Sequence, residues 1–187
     1  MKCKIIGLRV VSGLALMLVL ISASESLAVT QNTSGSGSFT FVNSNFTYDF
    51  VSPASYITGP GSDNHGGQFT SVTIAEYAPS STVCAAPDGT PGLQYDLIAS
   101  NGVNTYKTGQ VYYSAGPGLS TECVSNTTGS LTATSVYTLV GGTGKFTNVS
   151  GTFTITATGT NLALGAFGGA GGVFGAGQYT SVGSVTK

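Results

Sequence analysis

Strict alternation of threonine with apolar residues is the sequence feature that most constrains the fold of this chain. The segment from Thr152 to Thr158 reads Thr-Phe-Thr-Ile-Thr-Ala-Thr, so Phe153, Ile155 and Ala157 share one side of an extended chain. Successive side chains of a β-strand point to opposite faces of the sheet. Threonine is β-branched, so it favours a strand while keeping one face polar. The segment therefore predicts a strand with one buried face and one wet face.

The same period of two recurs along the chain, and turn residues separate the runs. Gly59-Pro60-Gly61 and Gly116-Pro117-Gly118 are turn signals. No stretch after residue 28 shows a helical period with caps. The pattern predicts an all-β fold of about eight strands in a single antiparallel barrel, with a two-sheet sandwich as the alternative. Besides 152–158, the candidate strands are 39–42, 46–50, 69–77, 93–97, 106–113, 131–140 and 178–185.

The N-terminus has the pattern of a secretory signal peptide. Basic residues up to Arg9 precede an apolar run over residues 10–21, and small residues at Ser26 and Ala28 fit a cleavage site. An apolar run of about 12 residues is too short to span a bilayer, which takes roughly 20. We expect residues 1–28 to be removed and the mature protein to be secreted, periplasmic or at the cell surface, not membrane-spanning. An uncleaved anchor is the alternative.

The charge balance after residue 28 excludes several partners. Three lysines remain against six carboxylates, there is no arginine, and the net charge is −3. A protein without a basic patch has no electrostatic means to bind nucleic acid. Residues 29–37 are rich in glycine, serine and threonine, which predicts a flexible leader before a single barrel domain over 38–187. The oligomeric state is left open.

Two cysteines remain once Cys3 leaves with the signal. In an exported domain Cys84 and Cys123 predict one disulfide, with free thiols as the alternative. A cysteine pair without nearby histidine is a poor zinc site. The scattered carboxylates form no calcium-loop pattern. We therefore predict no metal and no cofactor.

Asp63 and His65 are the candidate catalytic residues. They lie two apart in a Gly-rich stretch, and His65 is the only histidine of the chain. A carboxylate can orient a histidine that acts as general base near neutral pH. The simpler interpretation is a solvated turn with His65 exposed and dispensable. For glycoside hydrolysis, two of Asp49, Glu76 and Asp96 would have to meet in a cleft.

Nine tyrosines and nine phenylalanines allow two interpretations. Such rings commonly fill the core of a small barrel with the hydroxyls at its rim. The alternative is that they line a ligand cavity. We expect core filling.

A short hairpin resembles a stretch of known barrels. The residues that carry it are Gly141, Gly142, Gly144, Phe146 and Gly151, in the order G-G-T-G-x-F followed by a second glycine. This pattern resembles the hairpin of the allene oxide cyclase-like and dirigent-like β-barrels and covers about 20 residues. The resemblance implies a barrel with an apolar cavity, glycines that form a tight hairpin and a phenylalanine packed inside. It places no catalytic group of those families on this chain.

Together these observations predict an exported, disulfide-stapled barrel without catalytic activity that binds a small apolar ligand. The alternative, implied by the resemblance, is an isomerase or cyclase that acts on a lipid-like substrate inside the barrel.

Overall fold

A computed structural model describes residues 28–44, 54–161 and 173–187, and in these ranges the chain is all β. The described residues form nine strands and one 3-10 turn, and they contain no α-helix. The predicted signal peptide lies outside the described residues except for Ala28. The strands are β1 (Thr30–Ser44), β2 (Ala54–Asp63), β3 (Gly67–Ala85), β4 (Pro91–Tyr106), β5 (Gly109–Ala115), β6 (Ser120–Ser125), β7 (Ser130–Gly142), β8 (Ser150–Asn161) and β9 (Val173–Thr186), and the 3-10 turn is Gly144–Phe146.

The strands form one antiparallel sheet that closes into a ring. β1 to β4 pair in sequence order, β7, β8 and β9 pair in order, and β9 pairs with β1 to close the ring. β5 and β6 share the place between β4 and β7. β6 pairs with the first half of each of these strands, and β5 pairs with the second half. Nine strands thus occupy eight positions, so the predicted all-β, barrel-like fold is confirmed and the sandwich is not observed.

The segment predicted as a flexible leader is part of the sheet. β1 begins at Thr30 and pairs with β9 from there on, so residues 30–37 are a strand. Their small side chains have a structural reason. A Cβ at Gly37 would lie 2.6 Å from the Tyr179 hydroxyl, closer than real contacts allow. The glycines of β1 make room for the Tyr179 ring inside the barrel. The prediction of a flexible leader was wrong because it relied on composition alone.

The interior face of each strand follows the period of two. Phe153, Ile155 and Ala157 of β8 line the barrel interior, as the threonine alternation predicts. In β3 the buried residues include Ala75 and Tyr77.

The outer surface carries a row of exposed apolar side chains. Phe174, Val42, Tyr56 and Ile74 lie directly opposite one another on β9, β1, β2 and β3. Each keeps about half of its surface exposed, between 48% and 54%. These residues add nothing to the core, so the apolar content of the first strands overstates what they bury.

The predicted disulfide joins Cys84 of β3 to Cys123 of β6, with their Cα atoms 6.0 Å apart. It passes over β4 at Gly92, which pairs with Cys84. A Cβ at Gly92 would lie 3.1 Å from the Cys123 Sγ and 2.6 Å from the Val124 carbonyl oxygen. The bridge therefore ties together the two strands that flank the start of β4, and glycine leaves the space for it.

The turn between β7 and β8 packs one ring against the end of the barrel. Gly144 has a φ of 58°, a left-handed conformation that favours glycine. The Lys145 amide then donates a hydrogen bond to the Thr108 carbonyl at 3.0 Å. Phe146 follows, is 2% exposed, and has its ring 4.7 Å from that of Tyr106. Lys187 Nζ lies 4.8 Å from the centre of the same ring.

Candidate ligand-binding cavity

The barrel encloses a cavity of about 160 Å³. An apolar cavity of about 150 Å³ is large enough to hold benzene. Its walls are mostly rings and aliphatic side chains from all around the barrel, such as Ile57 of β2, Val111 of β5 and Ile155 of β8. Serine and threonine hydroxyls are interspersed among them, and the cavity is also lined by the acidic and basic side chains of Asp63, His65, Glu122 and Lys187. A site of this kind fits a small and largely apolar molecule.

Two alanines in a row of inward-facing residues make space in the cavity. Glu122 of β6, Ala133 of β7, Ala157 of β8 and Tyr179 of β9 lie directly opposite one another across four strands. Neighbours opposite each other in a sheet share a face, so all four point inward. The two alanines leave empty the volume that larger residues would fill between Glu122 and Tyr179.

Two groups of aromatic rings form much of the wall. Tyr113, Tyr137 and Phe153 lie within 5.1 to 5.4 Å of one another between ring centres. Tyr106 lies between Phe69 at 5.1 Å and Phe146 at 4.7 Å. These rings form the main buried cluster and also line the cavity. The rings therefore pack as a core, and this core surrounds a space.

Serine and threonine hydroxyls satisfy the buried tyrosines. The Tyr113 hydroxyl is 2.8 Å from Ser71 Oγ and 2.7 Å from Thr73 Oγ1. Ser100 Oγ is 3.4 Å from the Tyr137 hydroxyl. Burial raises the pKa of Tyr113 to about 12 and raises that of Tyr137 as well, so both stay neutral at physiological pH.

Ser120 and Ser135 similarly satisfy Tyr77. Their Oγ atoms are 2.5 Å apart, and both hydrogen-bond the Tyr77 hydroxyl. Burial, with a smaller contribution from Glu122, raises the Tyr77 pKa far above its usual range. The hydroxyls around Glu122 thus already have partners.

Glu122 is one of two carboxyl groups among the residues that line the cavity, and the other is Asp63 at the barrel end. No hydrogen bond to the Glu122 carboxyl is found within the described ranges, and the surface it keeps faces the cavity that it lines. Burial raises the pKa of Glu122 from 4.5 to about 7. Loss of hydration disfavours the charged form of a carboxyl, and no cation here offsets it. Glu122 can therefore hold or release a proton near neutral pH.

The titration of Glu122 predicts how stability depends on pH. Between pH 4.5 and about 7 the folded chain holds a proton that the unfolded chain has lost, so the free energy of unfolding falls as pH rises. The loss should total about 3 kcal/mol and be complete above pH 7. We expect Glu122→Gln to remove it. Urea unfolding at a series of pH values measures the difference between the two proteins.

Glu76→Gln is the matched control, because Glu76 is exposed on the outside of β3. This variant should follow the wild-type curve. If the Glu122→Gln and wild-type curves ran parallel from pH 4.5 to 8, the carboxyl would not be buried as described.

Asp63 contacts His65 through the backbone of the turn. Asp63 Oδ1 accepts hydrogen bonds from the backbone amides of His65 at 2.8 Å and Gly66 at 2.6 Å. Its Oδ2 accepts a hydrogen bond from the Tyr106 hydroxyl. Burial and this bond raise the pKa of Tyr106. Asp63 thus fixes the turn after β2, and among the described residues no hydrogen bond joins a carboxylate to the imidazole of His65.

The expectation that His65 is exposed is wrong. The residue is half-buried and lines the cavity at the end where β2 stops. Its Nε2 atom is buried and has no hydrogen-bond partner among the described atoms, and the same holds for the Tyr179 hydroxyl. Lys145 Nζ donates a hydrogen bond to the His65 carbonyl at 3.3 Å, which links this turn to the turn between β7 and β8.

Of the three carboxylates considered for glycoside hydrolysis, Glu76 is exposed on β3 and Asp49 lies outside the described residues. Asp96 of β4 accepts a hydrogen bond from Gln94 Nε2 at 2.7 Å. Within the described ranges, no group of three His, Cys, Asp or Glu side chains could hold a metal ion. The same ranges contain no helix that is long and apolar enough to cross a membrane.

Comparisons of this chain with protein-family models, with curated proteins and with solved structures found no match.

Glu122 is the site residue that the sequence analysis missed. It lies between Thr121 and Cys123 in a strand of only six residues, too short for a clear alternation. The signal that could have revealed Glu122 is the disulfide at the next residue, Cys123. Once that bridge is placed on the outside of the sheet, the residue before Cys123 must point inward.

Proposed function

We propose that this protein is an exported barrel that binds one small, largely apolar molecule in its interior, without catalysis. The observation that carries the proposal is the cavity beside Glu122, held open by Ala133 and Ala157. Its volume of about 160 Å³ suits a single ring with a short substituent. Its apolar walls supply affinity, and Glu122 supplies a polar contact.

Export is part of the proposal. The N-terminal pattern of basic, apolar and small residues supports it. The disulfide between Cys84 and Cys123 is also typical of oxidising compartments outside the cytosol. An exported binding protein with a closed barrel could hold a small molecule that is poorly soluble in water.

Filling the cavity should abolish binding. We expect benzyl alcohol to bind the wild-type protein in titration calorimetry and Ala133→Phe to weaken this binding at least about tenfold, because the new ring occupies the ligand volume. Ala133→Leu adds less volume and should give an intermediate loss.

Ala176→Phe is the matched control, since Ala176 is exposed on β9 and the added ring would point to solvent. It should bind like the wild type. Binding that survives both Ala133 variants, in proteins with intact thermal unfolding, would exclude the cavity as the site.

An isomerase or cyclase is the second candidate function, and the titration of Glu122 favours it. A carboxyl with a pKa of about 7 can donate or accept a proton in an apolar site. The resemblance of the Gly141–Phe146 hairpin to allene oxide cyclase-like barrels points the same way. Against it, a cavity the size of benzene is too small for a fatty-acid chain. Turnover of a small epoxide or enone that Glu122→Gln abolishes would support this candidate over simple binding.

A further inference from the structure

Resting on the binding function above, we propose that the ligand is a small organic amine whose ammonium group pairs with the Glu122 carboxylate while its apolar body fills the cavity. Three features of the cavity point to a cation in place of a neutral molecule or an anion. They are the unpaired carboxyl, the space next to it and the rings around it.

The first feature is that Glu122 has no partner within the part of the chain that is described. The next pair of residues along the same face of β6 and β7 is Ser120 and Ser135, whose hydroxyls bond each other and Tyr77. A buried carboxylate without a partner is costly, and a cation of the right size would relieve that cost. A ligand that brings its own positive charge gains this relief as binding free energy.

The second feature is the charge of the surrounding strands. The titratable side chains with the closest charge interaction are Tyr77 of β3 and Tyr95 of β4, whose pKa values Glu122 itself helps to raise. Tyr137 of β7 and Tyr179 of β9 line the same cavity. Burial raises the pKa of all four tyrosines, so they stay neutral across the physiological range. The basic groups lining the cavity, His65 and Lys187, lie at the rim where β2 and β9 end. An anionic ligand would meet repulsion at Glu122 and no cation near it.

The third feature is the composition of the wall. Ala133 and Ala157 leave room for a group bound at Glu122. Beyond them lie the rings of Tyr137 and Phe153, stacked with their centres 5.4 Å apart. Aromatic faces attract ammonium groups and also pack against an apolar body. A short arylalkylamine satisfies the carboxyl and the walls together.

Benzylamine and benzyl alcohol are a matched pair of probes for this proposal, because they differ in the charge of one group. At pH 8 we expect benzylamine to bind at least about tenfold more tightly than benzyl alcohol. Between pH 8 and pH 5.5 its affinity should fall about 30-fold as Glu122, with a pKa of about 7, takes up a proton. Benzylamine itself stays protonated over this range. Benzyl alcohol should show no such loss.

The variants separate this proposal from the binding function on which it rests. Glu122→Gln should bind both probes equally and without pH dependence, and Glu76→Gln should behave as the wild type. If benzyl alcohol binds but benzylamine binds no tighter at pH 8, the amine is excluded and the binding cavity stands. If neither probe binds, or both bind equally well to Ala133→Phe, the binding cavity itself is excluded.

A measurement on the wild-type protein makes the test independent of the variants. At pH 7 about half of the Glu122 carboxyls hold a proton, which a bound ammonium should displace. Calorimetry of benzylamine binding in two buffers of different ionisation heat should therefore show proton release. Binding without proton release at pH 7 would contradict pairing with Glu122.

Discussion

Replacing both Cys84 and Cys123 with serine should lower the free energy of unfolding by about 4 kcal/mol. The bridge closes a loop with a sequence separation of 39, and the entropy of the unfolded chain that such a loop removes corresponds to a loss of this size. Urea unfolding of the oxidised wild type and of the double variant measures it. Few other single contacts in a domain of this size contribute as much.

The reductant dithiothreitol is the control for this comparison. It should destabilise the wild type to the level of the double variant and leave the double variant unchanged. Equal stability of the oxidised wild type and the double variant would mean that β3 and β6 are held together without the bridge. The bridge also bears on the site, because Cys123 is the residue after Glu122 and fixes the orientation of β6.

Phe146→Ala should cost about 3–5 kcal/mol, the range for removing a buried phenylalanine ring. Phe146 is 2% exposed and packs against Tyr106 at the end of the barrel, in a turn that closes over the interior. Removing the ring would leave a void that is continuous with the cavity, and the surrounding side chains could not collapse to fill it. Urea unfolding measures the change.

Phe174→Ala is the matched control, because it removes the same ring from the outer face, where Phe174 is 51% exposed. This variant should lose less than about 1 kcal/mol. A loss of similar size for both variants would show that Phe146 is not a core residue, and the hairpin resemblance would then lose its structural basis.

The fold could be predicted because its signals are local. The alternation in residues 152–158 is a property of consecutive residues, and β8 shows it as expected. The disulfide needed only the count of cysteines in an exported chain. Neither inference required knowledge of which strands would be neighbours.

The cavity could not be predicted, because it depends on residues brought together across strands. Glu122, Ala133 and Ala157 lie on three different strands, and only the register of the sheet places them in a row. Gly37 lies in a segment with the composition of a linker. A glycine is needed there to leave space for Tyr179, which is far from Gly37 in sequence.

The environment of the polar residue His65 could not be predicted from local sequence either. Its neighbours in sequence are those of a solvated turn, and the turn is there, built by Asp63. What the sequence did not reveal is that this turn folds over the open end of a barrel and buries the Nε2 atom. Local sequence predicted the backbone, and the closure of the sheet determined the environment of the ring.

The most direct test of the central claim is a carbon-13 NMR titration of the glutamate carboxyls. The chain after residue 28 has only two glutamates, Glu76 and Glu122, so each resonance can be assigned with one variant. We predict that Glu122 titrates at about 7 and that its resonance shifts when benzyl alcohol is added, while that of Glu76 does not respond. A Glu122 carboxyl that titrates near 4.5 and ignores the probe would contradict a ligand cavity at this position.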